Sequence, residues 1–83
     1  MEKEKIIYQR IRDLREDKDL YQKDIAKFLG ISQRGYSHYE NGNNDIPTQI
    51  LIKLAKLYKT STDYLLNLTN EKKPYPKKKE HEI

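Results

Sequence analysis

No cysteine occurs among the 83 residues. That absence excludes a disulfide framework, thiolate zinc ligation and a cysteine nucleophile together. Apolar residues are also scarce, with 35% of the chain hydrophobic and 36% charged, so the core must be small and drawn from a few Ile, Leu and Tyr positions. No run approaches the roughly 20 apolar residues of a membrane span. The opening Met1-Glu2-Lys3-Glu4-Lys5 leads into no apolar stretch of signal-peptide length. A cytoplasmic location is expected on those grounds. Solenoid repeats and strand-like alternation are both missing, and a chain this short makes one small domain with little room for a catalytic pocket and its supporting shell.

The net charge of +4 divides evenly along the chain. Residues 1–68 hold twelve Lys and Arg against ten Asp and Glu, and residues 69–83 hold five against three. Any nucleic-acid affinity must therefore be argued from where charges sit, not from the total.

Helical periodicity organises residues 1–68, the expected folded domain. Ile7, Ile11 and Leu14 recur at spacings of four and three, with Arg10, Arg12, Asp13 and Arg15 between them. This spacing predicts a first helix of about four turns that fades over residues 17–19. A second helix is expected over residues 21–29, with Ile25, Ala26 and Leu29 on one face. Gly30 can take the positive φ that closes it, and Ser32 can cap a third helix over residues 33–41. The cluster Asn41-Gly42-Asn43-Asn44-Asp45 ends that helix.

Pro47 biases Ile46 away from helix, and Thr48 is available to cap a fourth helix over residues 49–58. Its wide apolar face comprises Ile50, Leu51, Leu54, Ala55, Leu57 and Tyr58. Ser61 can cap a short fifth helix with Asp63 in its first turn. Tyr36, Tyr39, Tyr58 and Tyr64 are expected at core or rim positions with hydroxyls reaching water or backbone, and Tyr8 and Tyr21 at the surface. Residues 69–83 contain little to bury and read as a charged, mobile tail.

Residues 22–42 carry the most information, because two short amphipathic helices flank one glycine turn in the layout of a DNA-reading helix-turn-helix. Burying Tyr36 and Tyr39 leaves Gln33, Arg34, Ser37 and His38 pointing elsewhere. Hydrogen-bonding side chains thus crowd the first turn of the third helix, where a recognition helix meets base edges. Arg34 can donate two hydrogen bonds to guanine, and Gln33 can make two with adenine. His38 lies on the same face, four residues beyond Arg34. The plainer readings are a solvated arginine and a polar residue that merely favours a first helical turn.

The chain resembles the phage repressor and Cro type of helix-turn-helix domain, the Xre family, over residues 7–66. The matching elements are Ile11-Arg12-Asp13-Leu14-Arg15, Gln22 with Ile25-Ala26, Leu29-Gly30-Ile31-Ser32, Tyr39-Glu40-Asn41-Gly42, Pro47, Leu54-Ala55 and Ser61-Thr62-Asp63-Tyr64-Leu65-Leu66. The resemblance implies an all-α fold, a compact five-helix lambda repressor-like domain. It implies base reading by Gln33, Arg34 and His38, with Ser37 near base or phosphate. Phosphate contacts are implied for Gln22 and Ser32, for Asn41, and for the backbone amides of Gly42, Asn43 and Asn44. Arg15 and Glu40 match positions that form a structural ion pair in the family, and losing one partner of a buried pair costs roughly 3 to 5 kcal/mol.

Two residues depart from the family pattern. Tyr21 stands where a serine or threonine usually caps the second helix, and Gly35 sits inside the third.

The resulting expectation is a sequence-specific DNA-binding transcriptional regulator, a repressor, acting as a homodimer on an inverted repeat. The fifth helix and the exposed part of the fourth are the candidate dimer surface, with Leu66 and Leu68 as apolar contributors. Other readings are the antitoxin of a toxin-antitoxin pair, with a toxin as partner, and a helix-turn-helix used purely for protein interaction. Catalysis is the weakest reading, because scattered Asp and Glu on solvated helical faces make no acid-base pair. No cofactor or metal is expected, since His81 lies in the tail with no cysteine to complete a zinc site. Lys77, Lys78 and Lys79 are read as a solvated charge run in preference to a phosphate-attracting arm.

Overall fold

The computed structural model describes residues 8–76, which form five α-helices and no strand within that range. They are α1 (Gln9–Asp17), α2 (Gln22–Leu29), α3 (Gln33–Glu40), α4 (Thr48–Leu57) and α5 (Thr62–Leu65). The inward faces follow the apolar spacing: Ile11 and Leu14 from α1, Ile25, Ala26 and Leu29 from α2, Tyr36 from α3, Leu54 and Ala55 from α4, and Leu65 from α5. α2 packs on α3, α4 on α5, and α1 bridges α3 and α5. This bridging fixes the orientation of the α2–α3 pair relative to the rest of the domain.

One closing motif ends every helix. In each, an amide just past the helix bonds back across the last turn while an intervening residue takes a positive φ. The long bonds are Leu20 N–H to Arg15 O, Ile31 to Ala26, Asn43 to His38, Thr60 to Ala55 and Leu68 to Asp63, at 2.9–3.1 Å. Glycine supplies the left-handed residue after α2 and α3, at Gly30 and Gly42, both with φ 74°. Asp19, Lys59 and Asn67 supply it elsewhere. Only the glycine-closed ends were legible from composition.

The helix starts differ more from expectation. Ser32 and Ser61 cap α3 and α5 as expected, each hydroxyl accepting at 3.0 Å, from the amides of Gly35 and Tyr64. α2 begins without a capping hydroxyl, and the Asp24 carboxylate instead accepts from the Tyr21 amide at 2.8 Å. Thr48 is the first residue of α4 and not its cap. Pro47 takes the cap position, because its ring fixes φ at −59° and its carbonyl accepts from the Leu51 amide.

α1 is shorter than four turns over the described residues, running nine residues from Gln9. Ile7 lies outside them. Tyr8, expected at the surface, is buried at 5% exposure and belongs to the core. Its hydroxyl lies 3.4 Å from the Ile46 amide, so the ring bridges the start of α1 to the α3–α4 connection. Tyr36 and Tyr58 are buried as expected, yet neither hydroxyl has a hydrogen-bond partner. Burial raises the Tyr58 hydroxyl to about 12, with the Glu40 charge adding to the effect.

Beyond Leu68, residues 69–76 run beside α5. Arg10 stacks over the Tyr64 ring at 4.0 Å and donates to the Tyr64 carbonyl at 2.9 Å, to the Thr69 carbonyl and to Asn70 Oδ1. Thr60 donates to the Lys72 carbonyl at 2.7 Å, and the Tyr75 hydroxyl donates to Asp63. Lys77, Lys78, Lys79 and His81 lie outside the described residues.

Lys59 has φ 53° and an exposed side chain. A β-carbon in that region costs roughly 1 to 2 kcal/mol, partly returned through the greater freedom glycine gives the unfolded chain. Lys59→Gly is therefore expected to raise the unfolding free energy by about 0.5 to 1 kcal/mol, measured by urea denaturation.

Candidate nucleic-acid interface

The α2–α3 pair presents an open concavity lined by Gln22, Gln33, Arg34, Ser37, His38 and Asn41. All six were singled out in the sequence, and the fold brings them together. Gln33 and Arg34 are exposed in the first turn of α3, where the Ser32 cap fixes the start of the helix. The Ser32 oxygen is used as an acceptor, which leaves its hydroxyl proton free to donate outward. A second shallow depression beside it is lined by Arg15, Tyr21, Gln22, Lys23 and Gln33. Tyr21 is 69% exposed, and the Lys23 ammonium sits 5.6 Å from its ring centroid.

Gly35 follows from space and not from backbone conformation. A β-carbon there would lie 3.1 Å from Ser32 Oγ, the cap acceptor of the same helix. The glycine leaves the cap undisturbed at the cost of helix propensity.

Behind the concavity lies a buried carboxylate. Glu40 is 2% exposed. Arg15 grips it with two bonds, Nε to Oε2 at 2.7 Å and Nη2 to Oε1 at 3.1 Å, and its remaining Nη1 donates to the Leu20 carbonyl at 2.8 Å. Gln22 Nε2 donates to Oε1 at 3.1 Å, and Arg12 Nε stands 3.5 Å from the same oxygen. Burial alone would push the Glu40 carboxyl up, but the bonds from Arg15 and Gln22 outweigh it and hold the group below its ordinary value of 4.5. The Arg15 guanidinium is raised in turn, chiefly by its bond to Glu40.

Two groups expected at phosphates are also used within the fold. Gln22 spends one amide hydrogen on Glu40, leaving the second for any ligand. The amides of Gly42, Asn43 and Asn44 donate to the carbonyls of Tyr39, His38 and His38 and so close α3. The contribution of Arg12 was missed, because two arginines three residues apart on α1 read equally well as solvated charges. Leu68 is 72% exposed, whereas Leu66 packs partly against the core. Ile52 and Tyr75 are also exposed and border a groove with Ala55, Lys56, Lys59 and Pro74.

The family comparison matches the same region, with a helix-turn-helix family covering residues 11–65. The chain belongs to the Xre type of helix-turn-helix family, that of phage repressors and Cro. Among Xre-type relatives, it is 37% identical over 71 residues to the uncharacterized HTH-type transcriptional regulator YobD of Bacillus subtilis, covering 86% of this chain and 63% of YobD. It is 39% identical over 49 residues to the cryptic phage CTXphi transcriptional repressor RstR of Vibrio cholerae, covering 59% of this chain and 44% of RstR. It is 32% identical over 56 residues to the antitoxin PezA of Streptococcus pneumoniae, covering 68% of this chain and 35% of PezA. The chain thus spans less than two thirds of the length of each of these relatives. No solved structure matches. No helix among the described residues is long and apolar enough to cross a membrane.

Because the folded-state carboxyl of Glu40 is held low, its stabilising effect is complete above the ordinary carboxylate range and is lost as pH falls through the lowered value. Urea denaturation between about pH 7 and pH 3 is expected to show that acid-side loss in the wild type. Glu40→Gln is expected to lower stability by about 3 to 5 kcal/mol at neutral pH and to flatten the acid limb.

Proposed function

We propose that this chain is a sequence-specific DNA-binding transcriptional regulator, and specifically a repressor, that inserts α3 into the major groove. The observation that carries the reading is the single concavity in which Gln33 and Arg34 stand exposed in the first turn of α3 beside Ser37 and His38. These are side chains that pair with base edges, and they sit on the part of a recognition helix that reaches them. The regulator names of YobD and RstR support the assignment, and the repressor name of RstR supports its sign.

Phosphates are met at the edges of the same face. The second amide hydrogen of Gln22, the hydroxyl of Ser32, the Lys23 ammonium and the side chains of Asn41 and Asn44 supply donors there. The loop amides, already engaged with helix carbonyls, take no direct part. Arg12, whose side chain is 44% exposed while it also faces Glu40, adds positive charge behind Gln22.

Two copies bind an inverted repeat. One recognition helix covers a few base pairs, and two copies spaced by about one DNA turn, roughly 34 Å, double the contacts and match operator symmetry. The fifth helix and the exposed part of the fourth, with Leu66 and Leu68 as apolar contributors, form the dimer edge. The likeness to PezA favours a second reading, in which the same helix binds DNA and a toxin occupies that edge. Co-expression with a neighbouring gene product separates the two, because an antitoxin co-purifies with its toxin whereas a free-standing repressor elutes as a dimer.

Selection of bound duplexes from a randomised pool tests the reading directly. The wild type is expected to select two half-sites of opposite orientation. Gln33→Ala and Arg34→Ala are each expected to lose roughly 1 to 3 kcal/mol of discrimination at one base position per half-site. Lys23→Ala is expected to weaken binding to all sequences alike and to reduce the salt slope by about one. Failure to select any sequence would refute the proposal.

A further inference from the structure

His38 and Asn43 form a pair that the helix end itself assembles. Gly42, with φ 74°, turns the chain after α3, and the amides of Asn43 and Asn44 both return to the His38 carbonyl, at 2.9 and 3.3 Å. Those bonds bring the Asn43 side chain back over the turn that carries His38. Its Nδ2 lies 3.2 Å from His38 Nδ1. Both side chains are short, and the backbone that carries them is fixed, so the contact is built into the closing motif of the helix.

Chemistry gives that contact a direction. The amide nitrogen of asparagine only donates, so the Nδ1 facing it accepts. A neutral imidazole carries one N–H, and which nitrogen holds it is set by the bond that the other makes. The proton therefore sits on Nε2, and the ring offers a donor to whatever it meets. His38 also lines the concavity with Gln33 and Arg34.

We propose that Asn43 fixes His38 as the Nε2–H tautomer, so that His38 reads a hydrogen-bond acceptor on one base of each half-site. This rests on the regulator reading above. Within the major groove, guanine offers only acceptors and thymine offers O4, whereas cytosine offers only a donor. Adenine offers its N7 acceptor beside the N6 donor, so the half-site position under His38 is guanine, thymine or adenine, and cytosine is rejected. Asn43 acts as a positioning residue, and its side chain is engaged with the base-reading group instead of a phosphate.

Two measurements test the proposal separately. Long-range proton–nitrogen correlation spectra of the free protein with labelled histidine, at about pH 8 where imidazole is neutral, report the tautomer without DNA. The wild type is expected to give the Nε2–H pattern at His38. Duplex selection in the same buffer then reads the base. Asn43→Ala is expected to average the two tautomers and to lower discrimination at that one position about tenfold, leaving the Gln33 and Arg34 positions unchanged. His38→Ala is expected to lose the same discrimination, and the double variant no more than either.

Asn43→Asp is the sharper variant. A carboxylate only accepts, so it draws the proton to Nδ1 and leaves Nε2 as an acceptor. The selected base should then shift away from guanine and thymine, which carry no major-groove donor, and cytosine, with its N4 donor, should become accepted. An Nδ1–H tautomer in the wild type overturns the proposal, as does a base preference unmoved in both Asn43 variants. A wild type that selects no sequence at all refutes the regulator reading and the base assignment with it, while selection that ignores Asn43 refutes only the pair. Circular dichroism of each variant confirms that the helices remain.

Discussion

The Glu40 carboxylate is the constraint on which the α1–α2–α3 unit depends. An isolated charge in a protein interior costs several kcal/mol after relaxation, and this one is retained because three hydrogen-bonding or charged side chains converge on it from two other helices. Arg15 and Arg12 arrive from α1, and Gln22 arrives from the first turn of α2. Because Glu40 is the last residue of α3, the same contacts that satisfy the charge also fix where α3 ends and how it lies against its neighbours. A hydrophobic substitute could hold the helices together, but it would not specify one orientation by directed bonds. The outward face of α3 is therefore oriented from behind, by an electrostatic cluster that shares only Gln22 with the concavity lined by Gln33, Arg34, Ser37, His38 and Asn41.

Donor accounting along α2 and α3 separates the groups that hold the fold from those left for a ligand. The Gly35 amide goes to Ser32, the amides of Gly42, Asn43 and Asn44 go to helix carbonyls, and one hydrogen of Gln22 goes to Glu40. What remains outward is a set of side chains: Gln33, Arg34, the Ser32 hydroxyl proton and the second hydrogen of Gln22. An outward set of side chains fits the proposed DNA-reading role, since backbone amides grip any phosphate and carry no sequence information.

Much of this was legible in the sequence, and the misses have physical causes. The five helices followed from apolar spacing with a few punctuating residues, and Gly30 and Ser32 marked the turn because glycine and serine have local roles that need no tertiary context. Tyr8 was misplaced because burial of a lone tyrosine beside charged residues is decided by what packs over it, here the Ile46 connection 38 residues away. Thr48 was taken for a cap because side-chain chemistry suggested it, whereas the fixed φ of Pro47 set the boundary. The engagement of Arg10 with α5 and the following residues, and of Gln22 with Glu40, arises from residues 18 to 60 positions apart. No local pattern records such a partner. The Arg15–Glu40 contact was accessible only through family resemblance, for the same reason.

Stability and specificity are coupled by this design. A domain of this size holds a total folding free energy of about 5 to 10 kcal/mol, so breaking the Glu40 cluster at roughly 3 to 5 kcal/mol would consume a large part of it. Any change that re-orients α3 from behind therefore also threatens the fold. Gln33 and Arg34 are under no such restraint: both are exposed, neither supports the core, and their replacement changes only the outward surface. The α2–α3 unit thus has a rear side bound into the fold and a front side whose replacement leaves the core untouched. On the proposed DNA-reading role, the near balance of charge over residues 1–68 sharpens this division, since weak general attraction to phosphate would leave discrimination to the few front-side contacts.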